Sequence, residues 1–236
     1  QGKLVRAVRG EIFDVAVDYF TDAFRLAGEP EGRFSFRTED VPAESVDEFE
    51  ERAGRWVATF RTLSEDAGVP RQRVSHKLEL TERSSYEDAQ ECAEELRREW
   101  RLGDRPAVGL KDALRGELDI LILHVDAPWG ISGAASYLPG QRTILVNRWE
   151  SLGRRMFDIA HELFHLLTWD AMPPDRVEDT QLSVRQRDRA EQLANNFAAA
   201  LLMPEDTVKE MWAQRNGDDI HEWLNAHADQ LRVSSV

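Results

Sequence analysis

Two histidines four residues apart, His161 and His165, frame an acid, Glu162, in the string HELFH. One helical turn places residues i and i+4 on the same side. Two neutral imidazoles a turn apart can share one Zn²⁺. An acid directly after the first histidine stands where a carboxylate can take a proton from water at such a centre. At this chain's His and Glu frequencies the pattern arises by chance in roughly 1 of 100 such sequences, so it needs context. The context is an apolar helix, with Met156, Ala160, Leu163 and Leu167 on one stripe. Two unliganded imidazoles would be costly to bury there, which favours a metal-holding helix over two incidental histidines.

A catalytic zinc needs a third protein ligand and an open position. His124 lies upstream, in a strand-like run that argues against a ligand role. Downstream candidates are Asp170, Glu178, Asp179, Asp188 and Glu191. Residues 187–203 read as a helix ended by Pro204, with Ala190, Leu193, Ala194, Phe197, Ala198 and Leu201 inward. Glu191 borders that face, and the small Ala194 and Ala198 permit close packing on the histidine helix. Glu191 is therefore favoured, with the other acids as alternatives. A donor for a developing oxyanion would complete the site. Tyr137, His124, Arg185 and His221 are candidates, of which Tyr137 is placed first. Trp129 and Trp169 are read as core or rim packing, with a cleft lining as the sharper alternative.

The elements that must position these groups are mostly helical. The spacing of Val46, Phe49, Ala53, Trp56, Val57, Phe60 and Leu63 predicts a helix ended by Gly68 and Pro70. A second helix is expected over 85–101, opened by a Ser84/Glu87 capping box, and a short third over 109–118. Residues 11–26 do not choose between helix and strand, and 28–45 read as a loop with Gly28, Pro30, Gly32 and Pro42. Residues 120–125 have strand length, and 136–138 with 143–147 flank a Pro139-Gly140 turn, a hairpin pattern. The expected class is α+β: mostly helical, with a small three-stranded antiparallel sheet beside the zinc-site helices. The expected division is an N-terminal extension over 1–45, a helical region over 46–105 and a metallopeptidase-like region over 106–236.

Composition narrows the setting. The chain has 236 residues, 42 % of them hydrophobic and 31 % charged, enough to bury a substantial core. No apolar run approaches the ~20 residues of a membrane helix. The first 20 residues are broken by charges at Arg6, Arg9, Glu11, Asp14 and Asp18, unlike a signal peptide. Cys92 is the lone cysteine, which removes internal disulfides and fits a reducing cytoplasm. The net charge of −14 repels phosphate backbones, so direct nucleic-acid binding is not expected, whereas a basic protein partner is attracted. Residues 39–51 hold seven acids and no base, read as a solvated helix start, with a docking patch for a basic partner as the alternative. The excess of 26 Arg over 4 Lys is read as genome bias.

Three strings carry a resemblance: TILVN at 143–147, RRMFDIAHELFH at 154–165 and EQLANNFAAALLMP at 191–204. Together they resemble the ImmA/IrrE-type zinc metallopeptidases, whose helices read F-x-x-A-H-E-x-x-H and E-x-x-A-N-x-F-A-x-x-L-L-M-P. Ile131-Ser132-Gly133 is similar to the start of that family's hairpin. The resemblance covers about residues 100–235. It implies His161, His165 and Glu191 as ligands of one Zn²⁺ and Glu162 as catalytic base. It implies a cytoplasmic endopeptidase that cuts a DNA-binding helix-turn-helix repressor and so releases its genes, in mobile-element control or stress responses. A toxin–antitoxin or phage-defence component with another target is the alternative. A non-catalytic, zinc-stabilised interaction module is a third reading, against which intact Glu162 speaks. Many members carry a helix-turn-helix of their own. Residues 17–20 resemble only the tail of one, and 228–234 a segment that leads into a further helix, so truncation at both ends is an expectation.

Overall fold

The computed structural model describes residues 33–38, 41–69, 76–138, 141–172, 184–215 and 219–234. The expectations for residues 11–26 and 17–20 lie outside them. The described elements are, in order, β1 (Arg33–Thr38), α1 (Ala43–Asp66), α2 (Tyr86–Glu99), α3 (Pro106–Leu118), β2 (Ile120–Val125), β3 (Ile131–Leu138), β4 (Gln141–Asn147), α4 (Leu152–Thr168), α5 (Val184–Leu202), α6 (Glu205–Ala213) and α7 (Ile220–Leu231). The α+β class holds. The sheet differs from the expected three antiparallel strands: four strands lie in the order β1-β3-β4-β2. The β3–β4 hairpin is antiparallel as expected, but β2 runs parallel to β4, Ile120 opposite Arg142 through Val125 opposite Asn147. The sheet is therefore mixed. The fourth strand, β1, pairs antiparallel with β3 and comes from the 28–45 segment read as a loop.

Both faces of the sheet are covered, which explains its near-continuous apolar strands. On one face Ile120, Ile122, Ala135, Ile144 and Val146 join α2, α3, α4 and α5 in the main core. On the other, Val125, Ile131, Ala134 and Leu145 meet Val46, Phe49 and Ala53 of α1. Strand alternation assigns the faces: Ile144 and Val146 point one way and Leu145 the other. The apolar stripe of α1 is buried from Val46 through Val57, whereas Phe60 and Leu63 beyond it are exposed.

Local signals set the helix boundaries. Ser85 caps α2, accepting from the Asp88 amide while Asp88 accepts from the Ser85 amide. This capping box lies one residue beyond the expected Ser84/Glu87 pair, and Ser84 instead closes a turn with Thr81. Pro106 opens α3, where a missing N–H costs nothing. Ser151 caps α4 through the Arg154 amide.

Candidate metal centre

The histidine helix α4 is the most enclosed element of the fold. From Ile159 to Thr168 every side chain is buried. It packs between β3 and α5. Phe164 and Phe197 bring α4 and α5 together with ring centroids 5.6 Å apart, and Ala194 and Ala198 are fully buried beside them. The small side chains allow the close approach that the sequence predicts. On its other side α5 is fastened to α2. The Tyr86 hydroxyl donates to Gln192 Oε1 at 2.5 Å, and the Arg189 guanidinium sits 4.1 Å from the Tyr86 ring centroid. Arg189 also donates to the Ser84 carbonyl. The position of Glu191 is thus set by contacts of Arg189, two residues before it, and Gln192, the residue after it.

This packing brings His161, His165 and Glu191 together. Their ligand atoms lie within 4.8 Å of one another, the one such group found among the described residues. His161 Nε2 lies 3.1 Å from Glu191 Oε2, and His165 Nε2 lies 3.2 Å from Glu191 Oε1. The two Nε2 atoms are 3.1 Å apart. The histidines are almost fully buried, whereas 43 % of the Glu191 side chain is exposed, so the group opens to solvent on the α5 side. Burial opposes ionisation of Glu191. The hydrogen bonds and charges of the two imidazoles outweigh it and hold the carboxyl well below its ordinary value. Three convergent lone-pair groups of this kind could hold a metal ion.

A further residue supports the group. Asn195, one turn beyond Glu191, places Oδ1 3.1 Å from His161 Nδ1. An Nδ1–H donating there leaves Nε2 as the free lone pair, the arrangement by which outer partners fix a ligand's tautomer. Asn195 carried no role in the sequence reading; its i, i+4 spacing from Glu191 was the available signal.

Glu162 is 1 % exposed and lies against β3. A Cβ built on Gly133 would stand 3.2 Å from Glu162 Oε1 and 3.4 Å from Asp158 Cβ. Gly133 thus lets the strand run close over the acid, a use of glycine that the motif reading had not drawn out. Asp158, one turn before Glu162, is buried and paired with Arg154 Nε at 3.3 Å.

The remaining candidates fall elsewhere. Asp170 pairs with Lys77. Glu178 and Asp179 lie outside the described residues, as do the side chains of Arg185 and Asp188. His124 stands 3.2 Å from Lys111 Nζ. His221 is exposed in the first turn of α7. The Tyr137 ring is 5.6 Å from that of Trp169 and 5.5 Å from the Arg142 guanidinium. Trp169 is buried, as expected of core, but Trp129 is 96 % exposed.

Among the described residues no helix is long and apolar enough to cross a membrane. No curated protein matches the chain in sequence. Among solved structures, a Mycobacterium tuberculosis transcriptional regulator is similar, with 25 % identity and a TM-score of 0.47. The alignment covers 63 % of this chain and 44 % of that one, so the chain spans less than half the length of this neighbour. The family described as the IrrE N-terminal-like domain, Peptidase_M78, matches residues 115–235, which hold β2 to α7 and the whole His161–His165–Glu191 group. That match covers just over half of the sequence, and the chain belongs to this family of metallopeptidase-like domains.

Proposed function

We propose that the chain is a zinc-dependent endopeptidase in which His161, His165 and Glu191 hold the metal and Glu162 is the general base. The observation that carries this reading is the convergence of two imidazole nitrogens and the two oxygens of one carboxylate. Tetrahedral zinc with donors at ~2.0–2.1 Å has edges of ~3.3 Å. The two Nε2 atoms are 3.1 Å apart, and each lies 3.1–3.2 Å from one oxygen of Glu191, His161 from Oε2 and His165 from Oε1. Two imidazoles and one carboxylate are a common catalytic zinc set, and they leave a fourth position open. A Zn²⁺ bound there would polarise the scissile carbonyl and acidify water.

The protein's own groups do the rest. Glu162 takes a proton from the attacking water on its carboxylate and gives it to the leaving amine. Its enclosure under Gly133 fixes the carboxylate and excludes competing solvent. Asn195 holds the His161 ring in register. Tyr137 has packing partners of its own, and no part is proposed for it.

As substrate we propose a basic DNA-binding repressor of the helix-turn-helix kind, acted on in the cytoplasm. The net charge of −14 and the family resemblance support the partner, and the lone Cys92 supports the compartment. The test is to incubate zinc-loaded protein with small basic DNA-binding proteins encoded beside its gene. A single defined cut, abolished by a chelator and restored by zinc, is expected. Intact partners in every combination would reject the substrate assignment.

A further inference from the structure

The sheet edge beside Glu162 is already taken by the chain itself. Strand β3 runs over Glu162 at Gly133. Its inner neighbour is β4, and its other neighbour is β1, which ends the sheet. An open strand edge is a template for any extended peptide, and β-strand addition is a common way to bind one. A polypeptide presented to Glu162 in extended form would find that edge on β3. There it would meet β1, antiparallel, with Arg33 opposite Tyr137, Phe34 opposite Ser136, Ser35 opposite Ala135 and Phe36 opposite Ala134.

The pairing is irregular at a telling place. From Phe36 to Thr38 the register slips, because Thr38 pairs with Ile131 rather than Ser132. Two steps along β1 match three along β3. The slip falls opposite Ser132 and Gly133, the stretch that touches Glu162. A bulge breaks the ladder locally and weakens the grip of an edge strand. Strand β1 also lies outside residues 115–235, so the family match does not include it.

We infer that β1 is a displaceable strand that occupies the substrate edge of β3 and must leave for a polypeptide to reach Glu162. This rests on the endopeptidase reading above. The occupant that replaces β1 is an extended segment of substrate, paired with β3 through its backbone. Release of β1 then sets the activity of the site, and a partner that captures residues 33–38 would switch it on.

Two arms test this on the full chain loaded with zinc. The first is hydrogen exchange of the Glu162→Gln variant, read by mass spectrometry. Residues 33–38 are expected to exchange at least ~10-fold faster than 141–147, as a strand that opens on its own does. Exchange of the two strands together would overturn the proposal, whatever the protein cleaves. The second arm uses fluorescent casein as the probe. In a Cys92→Ala background, Phe34→Cys with Ser136→Cys ties β1 to β3. The oxidised form is expected to cleave at least ~10-fold more slowly than the same protein after reduction, with zinc content unchanged. A second variant, Ser35→Pro, disfavours the extended pairing of β1 with β3 and is expected to raise cleavage. Equal rates for the oxidised, reduced and proline forms would overturn the inference while leaving the endopeptidase reading intact. Absence of cleavage by every zinc-loaded form would instead reject that reading, and the proposal with it.

Discussion

Asn195→Leu should weaken metal binding without touching a ligand. The Asn195 amide oxygen is 3.1 Å from His161 Nδ1, and the His161 side chain is 1 % exposed. Leucine has a similar volume and no acceptor. The buried Nδ1–H would lose its partner, which costs ~1–3 kcal/mol. The ring would also be free to turn or to change tautomer, and Nε2 would then no longer be a fixed lone pair. Replacing a side chain that hydrogen-bonds a metal ligand costs ~10–100-fold in metal affinity, equivalent to ~1.4–2.8 kcal/mol. The two routes agree. Because Asn195 is itself half-buried, a water admitted at its edge would move the loss toward the lower end. The assay is competition for zinc against a chromophoric chelator at fixed pH, with circular dichroism to check the fold. Asn195→Asp, which retains an acceptor, should bind zinc at least as well as the native chain. Unchanged affinity in a folded Asn195→Leu protein would refute the role given to this hydrogen bond.

Other substitutions probe the frame around the site. Phe197→Ala should cost ~3–5 kcal/mol by urea denaturation, since its fully buried ring joins α5 to Phe164 of α4; a cost under ~1 kcal/mol would contradict that packing. Gly153→Ala should be destabilising by ~1–3 kcal/mol, because its Cβ would fall 2.3 Å from the Val233 carbonyl carbon, and the C-terminal segment must move from the start of α4. Native stability in that variant would show that residues 233–234 do not rest there. A pH series tests His124, whose imidazole is held below its ordinary value by desolvation and by the nearby Lys111, Arg155 and Arg115. Its unfolded-state pKa, near ~6.5, is then the higher one, so the unfolded state gains the proton first and stability falls as pH drops below that value. His124→Gln should flatten this part of the stability–pH curve, and an unaltered slope would place the titrating group elsewhere.

The sequence showed the site more fully than the sheet that supports it. His161 and His165 lie on consecutive turns of one amphipathic helix, with Glu162 next to the first, so a local period places them. Glu191 was reachable because Ala194 and Ala198 announce a close helix contact. What joins Glu191 to the histidines is tertiary, yet it is built from one stripe on each of two helices. The parallel β2–β4 pairing has no such local sign. The direction of β2 against β4 depends on how the 126–130 connection carries the chain across to β3. The β1 signal was present: residues 33–38 read RFSFRT, a polar/apolar alternation of period two. Gly28, Pro30, Gly32 and Pro42 around it read more strongly as loop, and pairing with β3 overrode them. Phe60 and Leu63 fit the α1 stripe by spacing but extend beyond the sheet that buries Val46, Phe49 and Ala53. Spacing shows which residues share a face, not how far the partner surface extends.

The central claim is that His161, His165 and Glu191 hold one zinc whose chemistry Glu162 completes. The most direct measurement reads zinc content and cleavage rate on the same preparations of native, His161→Ala and Glu162→Gln protein. The native chain should carry one Zn²⁺ and cut its substrate. His161→Ala should lose both. Glu162→Gln keeps the side chain's size but cannot accept a proton, so it should retain zinc and lose ~10²–10⁴-fold in rate. Full zinc occupancy in His161→Ala would contradict the metal centre. Near-native cleavage by zinc-loaded Glu162→Gln would contradict the catalytic base.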